Sequence, residues 1–185
     1  MNRGKAMAVL AAVCAVSAGM TATAYGAEST FEMKKKVVSL LGILTTSDRN
    51  AEVTREEFAG MLVKASSQRQ NYGAPVYGAV FADVSADSQY ASAIRTASSN
   101  EWMSVTLRDA AKGVLGLLGY TNEDFSGNLN GNRMAKFSAL SLDSGIFRNQ
   151  DEVLTREDCI HLFYNLMKAQ MKEGGQYGSK VFDLT

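Results

Sequence analysis

The chain has 185 residues, of which 46% are hydrophobic and 21% are charged, with 19 basic and 19 acidic side chains. This length and composition fit one globular domain or one array of small repeats, and they argue against a disordered chain. The balanced charge argues against a nucleic-acid-binding protein, which would carry a basic excess or a basic stripe.

The first 27 residues have the layout of a secretory signal peptide. A positive start with Arg3 and Lys5 precedes an apolar run and a small-residue exit, so we predict cleavage after Ala27 and export of the remainder. The apolar run is long enough for an uncleaved anchor, but Ala, Gly and Thr dominate it. A lipoprotein anchored through Cys14 is disfavoured, because Val13 stands where a small residue is expected.

Cleavage would leave 17 basic and 19 acidic side chains and a net charge near −2, since it removes two basic residues and no acid. Cys159 would then be the one remaining cysteine. We therefore expect no internal disulfide, and a packed core must supply the stability. We also expect no membrane association after cleavage and no nucleic-acid partner.

The tetrad Thr-Arg-Glu-acid occurs twice, starting at Thr54 and at Thr155, and a related segment starts at Thr106. The three threonines are 52 and 49 residues apart, which indicates repeats of about fifty residues. We place repeat 1 at 28–70, repeat 2 at 71–127 and repeat 3 at 128–185.

Each of these threonines opens a segment with apolar residues at helix spacing, as at Phe58, Met61 and Leu62 in repeat 1, so we predict an amphipathic helix in each repeat. An acid follows each threonine after three residues, which predicts a capping box or, with aspartate, a weaker version of one. These acids are Glu57, Asp109 and Asp158. The recurring arginine has no comparable structural reason to recur.

A second apolar segment precedes each capped helix, so the predicted unit is helix, loop, helix. These segments are 31–44, 88–103 and 133–147. Gly42 and Gly145, each followed by isoleucine, are expected to end the outer two in the left-handed conformation. In repeat 2 only three residues separate Trp102 from Thr106, which indicates a shortened loop. Polar, glycine-bearing linkers are predicted at 66–79 and 121–132.

The order Phe81-Ala82-Asp83-Val84, Tyr90-Ala91, Ala93-Ile94, then Gly-Ile and Thr-Arg-Glu resembles the S-layer homology (SLH) domain of bacterial surface proteins. The likeness covers nearly the whole predicted exported part and is best at 42–65, 81–94 and 145–167. It implies an all-α fold in which three helix-loop-helix repeats form a pseudo-threefold bundle. The grooves of such a bundle bind a secondary cell-wall polysaccharide that typically carries pyruvyl ketal groups.

The resemblance implies polysaccharide-binding roles for nine residues that match or replace the motifs of the family. They are Thr54, Arg55, Glu56, Asp83, Tyr90, Trp102, Thr155, Arg156 and Glu157. A guanidinium can hold the ketal carboxylate through two parallel hydrogen bonds. The first turn of a helix is expected to add free amides and the positive end of the helix dipole, and a flat aromatic ring can cover a sugar face.

The chain also departs from the family pattern. The family's Gly-Tyr-x-Asp-Gly-Thr-Phe-x-Pro stretch is absent from all three repeats, and Gln89-Tyr90 replaces its His-Trp. Repeat 2 reads Thr-Leu-Arg-Asp, which moves the arginine one place to Arg108. We therefore expect one groove to be damaged.

Other chemistries are disfavoured by residue position. A calcium loop ending at Glu57 would place Thr46 and Ala51 where an acid and a glycine are needed. Cys159 and His161 are two apart on a predicted helix and point to different faces, so they are not a nucleophile and its base. Cys159 falls in the core-facing position that Phe58 holds in repeat 1, which predicts a packed thiol. We expect no enzymatic activity, metal or cofactor.

The sequence thus predicts a secreted protein that attaches noncovalently to the cell wall, at the cell surface, by binding a secondary cell-wall polysaccharide. Other surface-layer proteins are further expected partners. The alternative is a structural module that mediates protein assembly at the surface, in which the sugar-binding grooves are vestigial.

Overall fold

A computed structural model describes residues 24–78, 81–82, 84–100, 102 and 105–184, with side chains from residue 30 onward. In these ranges the chain forms seven α-helices and no β-strand, with isolated bridges between a few loop residues. The predicted all-α class is confirmed. None of the helices within these ranges has the length and apolar character needed to cross a bilayer.

Each predicted repeat contains a first and a second helix in the predicted order. The helices are α1 (Ala24–Leu40), α2 (Arg55–Ala65), α3 (Ala91–Ser99), α4 (Leu107–Leu117), α5 (Leu129–Ala139), α6 (Arg156–Lys168) and α7 (Tyr177–Phe182). Two short 3₁₀ turns lie at Arg69–Asn71 and Asn122–Asp124. Helix α7 follows the last predicted helix and was not predicted.

The first helices are shorter at their carboxyl ends than predicted, and α5 starts earlier, at Leu129 inside a predicted linker. The side chain of Asn128 accepts a hydrogen bond from the Gly131 amide at 3.1 Å, which caps this helix start. The cap lies in a glycine-bearing, polar stretch that resembles a linker, so the sequence pattern concealed it. Of the predicted signal peptide, residues 1–23 lie outside the described residues.

The first helices of the predicted repeats, α1, α3 and α5, end in the same type of turn. An apolar residue returns to the core there, and its amide donates a hydrogen bond to the carbonyl oxygen five residues earlier. The bonds are Ile43 N to Val38 O at 3.2 Å, Trp102 N to Ala97 O at 2.8 Å and Leu142 N to Phe137 O at 3.1 Å. Trp102 therefore occupies the turn position that Ile43 holds after α1.

Gly42 has φ +74° at the end of α1, as the sequence predicts. The corresponding prediction for Gly145 is wrong. The helix α5 already ends at Ala139, and the residue in the left-handed conformation after it is Ser141, with φ +55°. Gly145 lies further along, in the loop, and its own φ of +86° brings it against His161.

The second helices carry the predicted caps. The Thr54 hydroxyl accepts from the Glu57 amide at 3.2 Å, and the Glu57 carboxylate accepts from the Thr54 amide at 3.0 Å. Thr155 and Asp158 form the same reciprocal pair. At α4 the Thr106 hydroxyl accepts from the Asp109 amide at 3.3 Å. The helix starts therefore lie where the tetrads predict them.

The core is formed mainly by the inward faces of α2, α4 and α6. Phe58, Val114, Cys159 and Phe163 are fully buried, and the rings of Phe58 and Phe163 lie 6.0 Å apart. The prediction of a packed Cys159 thiol is confirmed, and burial raises the pKa of this thiol. A thiol held protonated in this way is a poor nucleophile.

Backbone hydrogen bonds join the starts of the second helices, and the bonds recur at the same offsets from the cap threonines. Between repeats 2 and 3, Leu107 N donates to Glu152 O at 3.1 Å and Arg108 N donates to Gln150 O at 2.9 Å. The equivalent donors at the start of α6 are the next two amides after Thr155. Arg156 N donates a hydrogen bond to Ala51 O at 3.0 Å, and Glu157 N donates one to Arg49 O at 2.9 Å. The contact of α6 with the loop before α2 thus has the same pattern as the contact of α4 with the loop before α6.

The residues that precede the cap threonines are also joined to one another by backbone hydrogen bonds. Val53 N donates to Leu154 O at 2.9 Å, and Leu154 N donates to Val105 O at 3.1 Å. The offsets would place the acceptors of a third junction at positions 101 and 103, which lie outside the described residues. We call these contacts the helix-start junctions.

His161 lies on α6, and its ring faces α1. Its Nδ1 accepts a hydrogen bond from the Lys34 ammonium at 2.9 Å, and its ring centroid lies 5.7 Å from that of Phe31. Burial, followed by the positive charge of Lys34, lowers the pKa of His161 to about 4. The imidazole is therefore neutral at neutral pH, with Nδ1 as the acceptor.

We expect His161 to make folding stability depend on pH between about 6.5 and 4. The imidazole of His161 binds a proton more readily in the unfolded chain than in the native state. Its contribution to the free energy of unfolding is therefore complete above pH 6.5 and is lost as the pH falls towards 4. The side chain is only partly buried, and after allowance for solvent screening we expect a loss of about 1–2 kcal/mol. Urea unfolding at a series of pH values measures it.

The matched variant is His161→Gln, whose amide oxygen can still accept from Lys34 and which does not titrate. It should lose less stability than the parent protein between pH 7 and pH 5, before the capping carboxylates with lowered pKa, such as Glu57, begin to protonate. Equal losses in the two proteins would contradict the assignment.

Candidate functional site

A cleft of about 390 Å³ opens where segments of all three predicted repeats meet. We name it the Arg156 cleft. Repeat 1 supplies the turn after α1 and one side of α2, repeat 2 supplies Tyr90, and repeat 3 supplies Arg156. Its lining residues are Gly42, Ile43, Leu44, Thr45, Thr46, Ser47, Glu57, Met61, Lys64, Tyr90 and Arg156.

The turn at 42–47 forms a polar wall of this cleft. Gly42 is exposed, and a Cβ at this position would meet no other atom within 4 Å. The Thr46 hydroxyl donates to Asp48 O at 2.8 Å and accepts from its amide at 3.1 Å, while the Ser39 and Thr45 hydroxyls lie 3.0 Å apart. Short local bonds of this kind hold the hydroxyl groups in a fixed turn.

Arg156 is held by an acid from repeat 1. Its Nη2 donates to Glu57 Oε1 at 2.7 Å, while Glu57 Oε2 accepts from the Thr54 amide at 3.0 Å. The side chains of Arg156 and Glu57 are 28% and 20% exposed, so the pair lies at the wall of the cleft and is neither fully buried nor fully solvated. The same carboxylate thus caps α2 and orients the guanidinium.

The charges of this cleft favour an anion. Burial alone would raise the pKa of Glu57, but hydrogen bonds from the Thr54 backbone and from Arg156 outweigh it and hold the pKa below its usual value. The hydrogen bond with Glu57 raises the pKa of Arg156. With Lys64 also lining the cleft, two cations face one carboxylate, and the lining carries a net positive charge.

Tyr90 supplies the aromatic ring of the cleft. It is half-buried, and burial together with the charge of Glu57 raises the pKa of its hydroxyl, which stays protonated and can donate. Gly60 on α2 makes room for this ring, because a Cβ there would lie 3.6 Å from Tyr90 and 3.2 Å from Tyr72. The Lys64 ammonium in turn lies 4.0 Å from the centroid of the Tyr72 ring.

The expectation that the first turn of the arginine-bearing helix offers free amides is wrong for α6. The helix-start junctions occupy the Arg156 and Glu157 amides, and Thr155 Oγ1 accepts from the Asp158 amide at 3.3 Å. The same holds for Leu107 and Arg108 on α4. An anion in the Arg156 cleft would therefore bind through side chains.

The other predicted ligand residues of the tetrads lie elsewhere. Thr54, Arg55 and Glu56 are exposed at the start of α2 and line neither cleft described here. Thr155 is buried and serves as a helix cap, and Glu157 Oε2 lies 3.4 Å from Arg49 Nε in an ion pair. Predicted roles for these residues stay predictions.

Asp83, a further predicted ligand residue, lies outside the described residues. Trp102 lies in a second cleft, of about 340 Å³, which we name the Trp102 cleft. Its lining residues are Asn100, Trp102, Lys112, Leu115, Gly116, Tyr120, Thr121, Asn122, Glu123, Phe125 and Arg133. Of the eight predicted residues that the structure describes, only Arg156 and Tyr90 share a cleft.

In repeat 2 the position of Arg156 is held by Leu107, which makes the equivalent junction bond and is only 4% exposed. Arg108 follows it and pairs with Asp151 at 2.5 Å. The shifted arginine thus has a partner in the loop of repeat 3, and its helix start presents leucine where α6 presents a cation.

The sequence did not predict that Glu57, Lys64 and the turn at 42–47 would line the same cleft as Arg156. Glu57 was recognised only as a capping acid, since its contact with Arg156 joins residues 99 positions apart and leaves no local pattern. The aromatic residues Tyr120 and Phe125 and the buried Arg133 were also missed. Their clustering depends on how α5 packs against α4.

Within the described ranges, no group of three or more His, Cys, Asp or Glu side chains is arranged to hold a metal ion. A search for similar proteins found no matching family model, no matching curated protein and no matching solved structure.

Proposed function

We propose that the exported chain attaches noncovalently to the bacterial cell wall by binding an acidic secondary polysaccharide in the Arg156 cleft. The observation that carries the proposal is the meeting of Arg156, Tyr90 and the hydroxyl-bearing turn at 42–47 in one open cleft. A pyruvyl ketal would direct its carboxylate to the guanidinium and a sugar face to the tyrosine ring.

The ion pair with Glu57 is compatible with this role. A guanidinium has five N–H donors, and Glu57 accepts from Nη2 at 2.7 Å, so further donors remain for a ligand. An arginine whose orientation is fixed in advance loses less conformational entropy when it binds. Lys64 adds attraction over a longer range, which salt should weaken.

We further propose that the three repeats, 28–70, 71–127 and 128–185, form the pseudo-threefold bundle of the SLH family. The matching offsets of the two helix-start junctions support this arrangement, as do the three first-helix turns that end on Ile43, Trp102 and Leu142. A signal peptide at 1–27 would deliver the chain to the cell surface.

The experiment is a sedimentation assay with purified wall sacculi of the producing bacterium. The mature protein should sediment with intact sacculi and should stay in solution after chemical removal of the secondary polymer. A ketal-free polymer should bind at least about tenfold more weakly, since the loss of one charge-assisted contact costs about 1.5–3 kcal/mol. Sedimentation that does not depend on the polymer would contradict the proposal.

The alternative, a surface assembly module with vestigial grooves, has its own support. Leu107 replaces the arginine of repeat 2, and the aromatic side chains of Tyr77 and Phe147 are 87% and 93% exposed. If this alternative holds, the protein will bind sacculi stripped of the polymer but carrying surface proteins, and it will not bind the free polymer.

A further inference from the structure

We propose that Lys34 is a nucleophilic amine that forms a reversible imine with small carbonyl compounds bearing a carboxylate, such as glyoxylate. This covalent site goes beyond the proposed function, and its residues line neither of the two clefts. Lys34 lies on α1, which packs along α6. Three side chains of α6 lie beside its ammonium group, those of His161, Tyr164 and Lys168. We name these four residues the Lys34 cluster.

The Lys34 ammonium has no carboxylate as a partner within the described ranges. It donates at 2.9 Å to His161 Nδ1, a neutral acceptor, and lies 5.5 Å from the centroid of the Tyr164 ring. The Lys168 ammonium lies 5.7 Å from the same centroid and likewise forms no ion pair in this part of the chain. Two ammonium groups therefore approach one aromatic ring without a negative charge to balance them.

This environment favours the neutral form of the Lys34 amine, which is its nucleophilic form. Lys34 is half-buried, and burial, followed by the positive charge of Lys168, lowers its pKa. Removal from water and a neighbouring cation are two ways in which proteins activate a lysine for attack on a carbonyl group. Because the side chain keeps part of its surface in solvent, a small molecule can reach the amine.

The hydroxyl of Tyr164 is a second, independent indication of a ligand. The residue is 1% exposed, and its hydroxyl oxygen is buried without a hydrogen-bond partner in the described part of the chain. Burial raises the pKa of this hydroxyl, which therefore stays a donor. An unpaired buried hydroxyl is destabilising, and the oxygen of a carbonyl compound at Lys34 would supply an acceptor.

The reaction needs no reagent other than the carbonyl compound. The lone pair of the neutral amine forms a C–N bond with the carbonyl carbon, the C–O bond breaks, and the oxygen leaves as water with both hydrogens of the amine. The Lys168 ammonium would pair with a carboxylate on the same compound while the imine forms. The substrate class is therefore a small aldehyde or keto acid whose carboxylate lies close to the carbonyl group.

Reductive trapping tests the proposal. The mature protein would be incubated at neutral pH with glyoxylate and sodium cyanoborohydride, which reduces an imine to a stable secondary amine, and peptide mass spectrometry would locate the labelled lysines. Lys36, which is exposed two residues further along α1, is the internal reference. We expect labelling at Lys34 to be at least about fivefold faster than at Lys36. Labelling of Lys34 that is no faster would overturn the proposal.

Two variants test the role of the second cation. Lys168→Met should slow glyoxylate labelling at Lys34 at least about threefold, and it should slow labelling by the neutral acetaldehyde less, because only glyoxylate pairs with the ammonium. Lys172→Met is the matched control, since Lys172 pairs with Asp124 at 2.6 Å, and it should leave the rate at Lys34 unchanged. Unchanged labelling in Lys168→Met, or equal slowing with both aldehydes, would overturn the proposal. None of these outcomes depends on binding to sacculi.

Discussion

Arg156→Met should lose at least about tenfold in affinity for polymer-bearing sacculi. Arg156 is the guanidinium that lines the cleft beside Tyr90, and methionine removes both its charge and its paired donors. A charge-assisted hydrogen bond contributes about 1.5–3 kcal/mol, and each 1.4 kcal/mol corresponds to a factor of ten in affinity. Arg156→Lys should recover only part of the loss, because an ammonium group lacks the planar fork.

The controls separate binding from folding. The ion pair with Glu57 is partly exposed, so its removal should lower the free energy of unfolding by only about 1 kcal/mol. Lys36→Met removes the same charge and should bind normally. Arg55→Met tests the predicted role of Arg55, and a loss equal to that of Arg156→Met would extend the binding site to the exposed start of α2. Full binding by folded Arg156→Met would remove the basis of the proposed function.

Phe163→Ala should lower the free energy of unfolding by about 3–5 kcal/mol, as is usual for a large side chain removed from a packed core. Phe163 is fully buried on α6 and its ring packs at 6.0 Å against Phe58 on α2. The contact joins α6 to α2 within the hydrophobic core. Chemical denaturation followed by circular dichroism measures the change.

Phe147→Ala is the matched control, because this ring is 93% exposed and its removal should change stability by less than about 0.5 kcal/mol. Comparison of Phe58→Ala, Phe163→Ala and the double variant should give a coupling energy of about 0.5–1.5 kcal/mol. Strict additivity would show that the two rings do not stabilise each other.

Local patterns predicted much of the fold. The Thr-x-x-acid signal located the starts of α2, α4 and α6 because both partners of a capping box lie within four residues. Apolar spacing correctly identified Phe58, Leu62 and Cys159 as core residues. The ends of the first helices were less predictable, since the left-handed stop of α5 is made by a serine, Ser141, and glycine was the expected residue.

The candidate site was predicted only in part, for a physical reason. Arg156 and Tyr90 come from different repeats, and the motif that identifies each residue carries no information on its tertiary neighbours. The ion pair of Arg156 with Glu57 and the occupied amides of α6 arise from packing between repeats. Arg133 belongs to none of the recurring motifs, so only the structure draws attention to it.

The helix-start junctions consist of main-chain groups, and this has a consequence for how such a protein can diverge. Leu107 and Arg156 make the same bond with entirely different side chains, so the assembly does not dictate which residue stands there. The residue at this position can therefore change from a cation to leucine while the backbone contacts that align the helix starts stay in place. How the helices pack is thus independent of the surface chemistry that each helix start carries.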